Sequence, residues 1–276
     1  MRHRIRFINS LVLAIALSGC TSQPASPVID TAVVSPQNQY QTDRSNAYLP
    51  FPGEWTVGDV FRAYGNSVKD KLGYYFQKAH VAYPPREMAL LAFKQEKKLE
   101  LWARDHGEFR LIRDYFIMAA SGDAGPKLKQ GDRQVPEGIY RITDLNPNSH
   151  YHLSMKINYP NEFDLTHAEM DGRSDLGSDI FIHGKDASIG CLAMGDAAIR
   201  ELFILTAQVG VNNVKVVIAP HDPKSYPLAS SEELPVWTSE LYAMISQEIE
   251  AVTSKVKSAK SPGYTQQNLP VNSGYY

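Results

Sequence analysis

A histidine and a cysteine in the second half of the chain stand close enough to support nucleophilic catalysis. His183 ends the short apolar segment 179–183, and Cys191 follows eight positions later, after a loop that begins at Gly184 and ends at Gly190. A thiol attacks as the thiolate, and a neighbouring imidazole can take its proton. Gly190 lets the backbone approach a substrate closely, so the amides of Gly190 and Cys191 could donate to the oxyanion of a tetrahedral intermediate.

The spacing alone also fits a second interpretation, a buried structural cysteine beside a hydrogen-bonded histidine. Against it, Cys191 stands in a Gly-flanked loop rather than on an apolar stripe. The other cysteine, Cys20, has a very different context, and the two are not a plausible structural pair. The sequence has no CxxC motif and no Cys/His cluster with zinc spacing, so we expect no metal.

The first twenty residues have the pattern of a secretory signal. Arg2, Arg4 and Arg6 form a positive region, and an apolar run at 11–17 is too short for a stable membrane span. The following Ser-Gly-Cys20 resembles the lipobox of bacterial lipoproteins. That resemblance implies cleavage before Cys20 and its acylation, which would leave Cys191 as the lone thiol of the mature protein. The alternative is a plain signal peptide with an incidental cysteine.

Composition and periodicity divide the chain into six parts and predict a mainly β protein with flanking helices, an α+β class. Residues 21–52 are rich in Pro, Ser, Thr, Gln and Asn and lack apolar periodicity, which is typical of a flexible tether. The predicted parts are a signal peptide at 1–19, a tether at 20–52, a helical segment at 53–86, a β-rich domain at 87–221, a C-terminal helix at 222–260 and a disordered tail at 261–276.

Local patterns predict the elements that position the histidine and the cysteine. Alternating and apolar runs predict strands at 88–93, 98–103, 109–118, 138–143, 151–157, 179–183 and 214–219. Steps of three and four predict helices at 55–80, at 232–257 and from an N-cap at Asp196 to about Val209, with Gly210 as the stop. The helix at 232–257 is expected to pack on the domain, and a partner-binding helix is the alternative.

The segment from His183 to Cys191, His-Gly followed by Ser-x-Gly-Cys, resembles the signature of the L,D-transpeptidase (YkuD-type) family. The similarity covers roughly residues 80–220 and is closest to the murein L,D-transpeptidase branch typified by YafK. It is carried also by the motifs Gly125-Pro126-Lys127, Gly131-Asp132, Pro136-Glu137-Gly138-Ile139-Tyr140, Asn146-Pro147-Asn148-Ser149 and Tyr159-Pro160-Asn161. The resemblance implies a compact YkuD-type β-sandwich.

The same resemblance implies cysteine acyl transfer on peptidoglycan stem peptides, at the L-centre carbonyl of meso-diaminopimelate. Cys191 would be the nucleophile, and His183 the general base and later the acid. The backbone of Gly190 and Cys191 would form the oxyanion hole, Ser188 would support it, and Gly184 would let a main-chain carbonyl orient the imidazole. The acyl group would pass to water or to an amine, without any cofactor.

Ala193 stands two positions after the cysteine, where many family members have Arg. The murein branch also has Ala there, and its members include a hydrolase that releases a wall-attached lipoprotein. Hydrolysis is therefore as credible here as cross-linking. The implied partners are stem peptides, a wall-attached lipoprotein and, through the acyl anchor, a membrane; Thr21 after Cys20 favours the outer membrane of a Gram-negative envelope, facing the periplasm.

Three further residues are candidates for substrate binding. His167 lies before the motif, with a loop or structural histidine as the alternative; Tyr151 could line the cleft; Arg133 lies in a small basic loop that could meet stem-peptide carboxylates. A formal net charge of -2 without a basic block argues against nucleic acid as a partner. Two other functions stay open, a non-catalytic lipoprotein that binds peptidoglycan or an envelope protein, and a cysteine protease.

Overall fold

A computed structural model describes residues 55–254 of the chain. The predicted signal peptide, the lipidation site Cys20, the tether at 20–52 and the tail at 261–276 lie outside the described residues and stay predictions. No helix among residues 55–254 combines the length and the apolar character needed to cross a membrane.

The described chain forms nine strands that hydrogen-bond in one continuous order, β3-β2-β1-β9-β5-β6-β7-β8-β4. Their bounds are β1 Glu87–Phe93, β2 Lys98–Arg104, β3 Arg110–Phe116, β4 Ala119–Ala120, β5 Gly138–Asn146, β6 Ser154–Ile157, β7 Phe181–His183, β8 Leu192–Ala193 and β9 Val214–Ala219. The predicted hairpin is present, since β1 and β2 pair antiparallel from Glu87–Arg104 to Phe93–Lys98.

Strand β5 joins the two halves of this sheet. Its first residues, from Gly138 to Arg141, pair with β9, and its last residues pair with β6. The curled sheet encloses one large core in which side chains from both halves meet, among them Leu90, Val216, Met155 and Ile182. The mainly β class with flanking helices, and the family-type fold, are confirmed.

Four helices flank the sheet in the described part, at α1 Val57–Ala79, α2 Glu162–Met170, α3 Asp196–Val209 and α4 Thr238–Thr253. Helices α1 and α3 contribute Val60, Leu72 and Phe203 to the large core. Helix α4 covers the other face of β1 and β9, where Leu241 and Ile245 pack in a second core. The apolar stripe of the C-terminal helix therefore packs on the domain, as predicted.

The main differences from the sequence prediction concern three helices. Helix α4 begins at Thr238 rather than at 232, because a residue before a proline, here Leu234 before Pro235, is disfavoured in helical conformation. The N-cap of α3 is Gly195, and Asp196 is the first helical residue; its Oδ1 accepts instead from the amide of Lys185. Helix α2 was not predicted, although the side chains at 161 and 164 form a reciprocal capping box at its start.

Candidate active site

The pairing of β7 with β8 brings the predicted histidine and cysteine together. The two strands are parallel, and His183 lies beside Ala193. Continuing this register by one step before β8 places Cys191 beside Phe181, on the face that also carries His183, because side chains alternate along a strand. The Cα atoms of Cys191 and His183 are then roughly 8 Å apart, a diagonal of the interstrand spacing and a two-residue rise. Their side chains can meet over that distance.

His183 is buried and held in one orientation. Its Nδ1 lies 2.6 Å from the carbonyl oxygen of Gly184, so Nδ1 carries the proton and donates it to that carbonyl. The ring of Tyr151 covers the imidazole at a centroid distance of 4.5 Å. Burial lowers the pKa of His183, although the hydrogen bond to Gly184 opposes this shift. The ring is therefore neutral near pH 7, with a free lone pair on Nε2.

Cys191 lies half-buried just before β8. Its thiol donates weakly to the backbone carbonyl of Asp179, with the two heavy atoms 3.9 Å apart. Burial raises the pKa of Cys191; the backbone amide of Phe181 and the positive charge of Lys127 oppose that shift, and the charge of Asp179 adds to it. Burial therefore favours the neutral form of both the thiol and the imidazole, so a proton transfer from Cys191 to His183 would have to accompany attack on a substrate.

These shifts fix the expected pH dependence of thiol alkylation. Because the pKa of Cys191 is raised, we expect the rate of alkylation by iodoacetamide to rise through pH 8 and to reach its midpoint above about 8.5, the ordinary thiol value. The measurement is a rate profile of the folded protein, compared with the same protein unfolded in guanidinium. A reactive plateau extending down to roughly pH 6 would instead indicate a thiolate–imidazolium pair and would contradict this electrostatic account.

Two serine hydroxyls hold the loop before the cysteine. Ser188 Oγ accepts from the Cys191 amide at 3.1 Å and donates to the carbonyl of the same residue at 2.6 Å. Ser121 Oγ accepts from the Gly190 amide at 2.6 Å. Both amides that were predicted to form an oxyanion hole are therefore occupied by hydroxyls, and that role stays a prediction.

Ser121 is a residue that the sequence analysis missed. It directly follows β4, which pairs antiparallel with β8 so that Ala120 lies opposite Leu192. This register sets Ser121 opposite Cys191, and its hydroxyl also lies 3.4 Å from that of Ser188. The only sequence signal was its position at the start of the loop with the Gly-Pro-Lys motif.

Gly184 has no room for a side chain. A Cβ atom there would lie 2.6 Å from the carbonyl oxygen of Tyr151 and 2.8 Å from Asp196 Oδ1. We therefore expect Gly184→Ala to lower the free energy of unfolding by roughly 1–3 kcal/mol and to displace the Tyr151 loop from the imidazole. Thermal unfolding measures this effect. The matched control is Gly73→Ala in helix α1, where a Cβ meets nothing within 4 Å; it should stabilise the protein by about 0.5–1 kcal/mol. A wild-type stability for Gly184→Ala would overturn the prediction.

The remaining predicted residues have different surroundings. His167 is buried in α2, and its ring lies between Phe163, at 4.2 Å, and Trp237, at 4.9 Å. These are packing contacts, which fit the alternative interpretation of His167 as a structural histidine. Arg133 is exposed, with a left-handed φ of 57°. The carbonyl of the next residue, Gln134, lies 3.5 Å from where a Cβ of Gly190 would be, so the Arg133 loop borders the cysteine loop.

One cavity of the described residues lies beside this site. It measures about 550 Å³, and its lining includes Tyr64, Asn148, His152 and Lys185. Lys185 follows Gly184 directly and donates from Nζ to the carbonyl of residue 150 at 2.6 Å. Cys191 is not among the residues that line this cavity.

The described fold is a β-rich domain that carries a cysteine and a buried histidine on neighbouring strands. Residues 88–218 match the model of the L,D-transpeptidase catalytic domain, YkuD. The match covers 131 of the 276 residues, so it shows what this part of the chain is similar to. The chain is also 37% identical over 113 residues to YafK, a candidate L,D-transpeptidase of Escherichia coli (strain K12). That alignment covers 40% of this chain and 44% of YafK, so it spans less than half of the length of the relative.

Two solved structures have weaker overall similarity. The helical cell shape determining protein Pgp2 from Campylobacter jejuni is 19% identical, with a TM-score of 0.39, over 55% of this chain and 56% of that chain. L,D-transpeptidase 1 of Mycobacterium tuberculosis is 10% identical, with a TM-score of 0.29, over 48% of this chain and 62% of that chain.

Proposed function

We propose that this protein is a cysteine acyl transferase of the bacterial envelope that acts on the L-centre carbonyl of meso-diaminopimelate in peptidoglycan stem peptides. The observation that best supports the proposal is the parallel pairing of β7 with β8. Its register puts Cys191 and the buried His183 on one face of neighbouring strands, within residues that match the L,D-transpeptidase catalytic domain model. The product is a new cross-link when an amine accepts the acyl group. When water accepts it, the product is a released residue or a released lipoprotein.

The proposed reaction uses the lone pair of His183 Nε2. As Cys191 Sγ forms its bond to the carbonyl carbon, the thiol proton passes to Nε2, and the carbonyl oxygen becomes an oxyanion. His183 then gives this proton to the leaving amine as the C–N bond breaks, which leaves a thioester on Cys191. Water or an acceptor amine attacks the thioester, loses a proton to His183 and regenerates the thiol. The hydrogen bond to Gly184 stabilises the imidazolium in both halves.

The oxyanion would displace a hydroxyl from the backbone amides. The amides of Gly190 and Cys191 now donate to neutral oxygens of Ser121 and Ser188. An oxyanion is a stronger acceptor than a hydroxyl, since hydrogen bonds to charged groups are roughly twice as strong as neutral ones. We propose that Ser121 and Ser188 hold these amides in place until the tetrahedral intermediate forms.

Three further residues would bind the substrate, shield the imidazole and anchor the domain. Arg133 is exposed in a loop that borders the cysteine loop, and its guanidinium would bind a stem-peptide carboxylate. Tyr151 would shield the imidazole from water. Acylation of Cys20 would tether the domain to the outer membrane, facing the peptidoglycan across the periplasm. YafK and Pgp2 support the family and an envelope setting, while this lipoprotein anchor rests on the sequence pattern alone.

Product analysis tests the proposal. Purified mature protein is incubated with sacculi or isolated muropeptides, and the products are identified by mass spectrometry beside those of a Cys191→Ala variant. We expect the wild type, and not the variant, to produce peptides in which the group attached to the L-centre carbonyl of diaminopimelate is lost or exchanged. Identical products from both proteins would refute the proposal.

One observation favours a second candidate, a non-catalytic lipoprotein that binds peptidoglycan or an envelope protein. The raised pKa of Cys191 means that the resting thiol is a weaker nucleophile than an activated thiolate. On this alternative, stem peptides would not change the reactivity of Cys191. On the primary proposal, a substrate-like stem peptide protects the thiol from alkylation, and a thiol-reactive probe distinguishes the two.

A further inference from the structure

An exposed ion pair stands at the rim of the thiol. Lys156 of β6 and Asp179, two residues before β7, are joined at 2.6 Å between Nζ and Oδ1. The side chains are 36% and 64% exposed, respectively. Lys156 lies opposite Phe181 in the β6–β7 ladder, so the pair lies beside the strand residue whose amide faces Cys191.

Asp179 connects this pair to the reacting atom. Its backbone carbonyl accepts from the Cys191 thiol at 3.9 Å, while its carboxylate binds Lys156 and accepts from the hydroxyl of Ser178 at 3.2 Å. Its φ is 60°, in the left-handed region that costs free energy for a residue other than glycine. Such strain is concentrated at functional sites. Here it directs the carbonyl toward the thiol and the carboxylate toward the open rim.

We propose that Lys156 and Asp179 form the subsite that recognises the zwitterionic D-centre of meso-diaminopimelate, with Asp179 bound to its ammonium group and Lys156 to its carboxylate. This inference rests on the proposed function, because it assigns the side chain of the residue whose L-centre carbonyl Cys191 attacks. An adjacent anion and cation match a group that carries both charges on one carbon.

The reach of the substrate side chain fits the position of this pair. Five carbon–carbon bonds separate the L-centre carbonyl carbon from the D-centre carbon, which is roughly 6 Å in extended form. The carbonyl carbon sits on Sγ in the reaction, and the Asp179 backbone is already 3.9 Å from Sγ. The extended side chain is therefore long enough to pass the Asp179 carbonyl and extend toward the carboxylate of the same residue, to which Lys156 is bound.

The ion pair can open at little cost. Exposed pairs contribute little to stability because water screens them and two side chains must be held in place. A bound D-centre replaces one screened contact by two charge-assisted hydrogen bonds. A stem peptide with L-lysine at the third position offers an ammonium group but no carboxylate, so it leaves Lys156 without this partner.

Three synthetic tetrapeptides test the subsite, with meso-diaminopimelate, its amide at the D-centre carboxylate, or L-lysine at the third position. We expect wild-type kcat/KM to be about 10- to 100-fold higher for the first peptide, the value of one or two hydrogen bonds to charged groups. Lys156→Gln should abolish this preference, mainly through KM, and leave kcat/KM of the L-lysine peptide unchanged.

Asp179→Asn keeps a residue type that tolerates left-handed φ. This variant should lower kcat/KM for all three peptides, since each carries the ammonium group.

The matched control is Lys215→Gln, which breaks the ion pair of Lys215 with Glu248 on the far part of the sheet. It should leave the substrate preference intact. A loss of equal size on all three peptides with Lys156→Gln, or a preserved preference, would overturn the subsite.

A binding measurement keeps this inference separate from the proposed function. If the wild type turns over none of the peptides, the acyl-transfer proposal fails, and calorimetric binding of the meso-diaminopimelate tripeptide to Cys191→Ala still tests the subsite. About 10-fold weaker binding in a Lys156→Gln, Cys191→Ala double variant supports it, by the loss of one hydrogen bond to a charged group. Unchanged or undetectable binding refutes it.

Discussion

Replacing His183 by glutamine is expected to slow acylation of Cys191 by roughly 10²- to 10⁴-fold, the contribution of a positioned general base. Glutamine can still donate to the Gly184 carbonyl, but its amide cannot accept the thiol proton. Because the pKa of Cys191 is raised, few molecules carry a thiolate near pH 7, so attack depends on the imidazole as the base. Single-turnover acylation with a diaminopimelate stem peptide measures the loss.

The matched control is His152→Gln. That histidine is half-buried and directly follows Tyr151 in the sequence. Its Nε2 accepts from Arg200 at 2.8 Å. Acylation should proceed near the wild-type rate in this control. A His183→Gln variant with wild-type acylation would remove the imidazole from the mechanism, and equal losses in both variants would point to a structural effect.

The largest effect on stability is expected from Glu137→Ala. Glu137 is fully buried, and its Oε1 accepts from Lys94 Nζ and from the Gly125 amide, both at 2.9 Å. Its Oε2 accepts from the Tyr242 hydroxyl of α4 at 2.8 Å. The variant leaves the buried ammonium of Lys94 without its counter-charge, and we expect the free energy of unfolding to fall by about 3–5 kcal/mol.

Urea unfolding measures this change, with Tyr242→Phe as the control that removes one hydrogen bond from the same carboxylate. That control should cost about 1–2 kcal/mol. A loss below about 1 kcal/mol for Glu137→Ala would mean that the network does not hold the sheet, the 121–137 loop and α4 together. Since Ser121 begins that loop, Glu137→Ala should also reduce acylation more than Tyr242→Phe does.

Local sequence patterns predicted the strands that the core requires. The polar turn between 93 and 98 separates two apolar runs, and both faces of β1 are buried, which explains its continuous apolar sequence. Strands β4 and β8 have only two residues each, too few for any periodicity. Their pairing depends on the closure of the sheet and could not be predicted from either segment alone.

In the candidate site, too, some residues are joined by a local pattern and others meet only in the folded sheet. His183 and Cys191 were found because a short loop and a family motif join them. Ser121 binds the Gly190 amide across a sequence separation of 69, and Lys156 binds Asp179 across 23, so no local pattern connects these partners. His167 was a candidate from its place before the motif, but helix α2 turns its ring toward Trp237, the residue directly before α4.

The central claim is that Cys191 carries the acyl group of a diaminopimelate stem peptide, and mass spectrometry of the digested protein tests it most directly. Wild-type protein and Cys191→Ala are mixed with the tetrapeptide, quenched in acid within the first turnover and digested. The account predicts a mass increase equal to the acyl tripeptide on the fragment that contains Cys191, in the wild type alone. Product formation without this thioester, or the same product from Cys191→Ala, would contradict it.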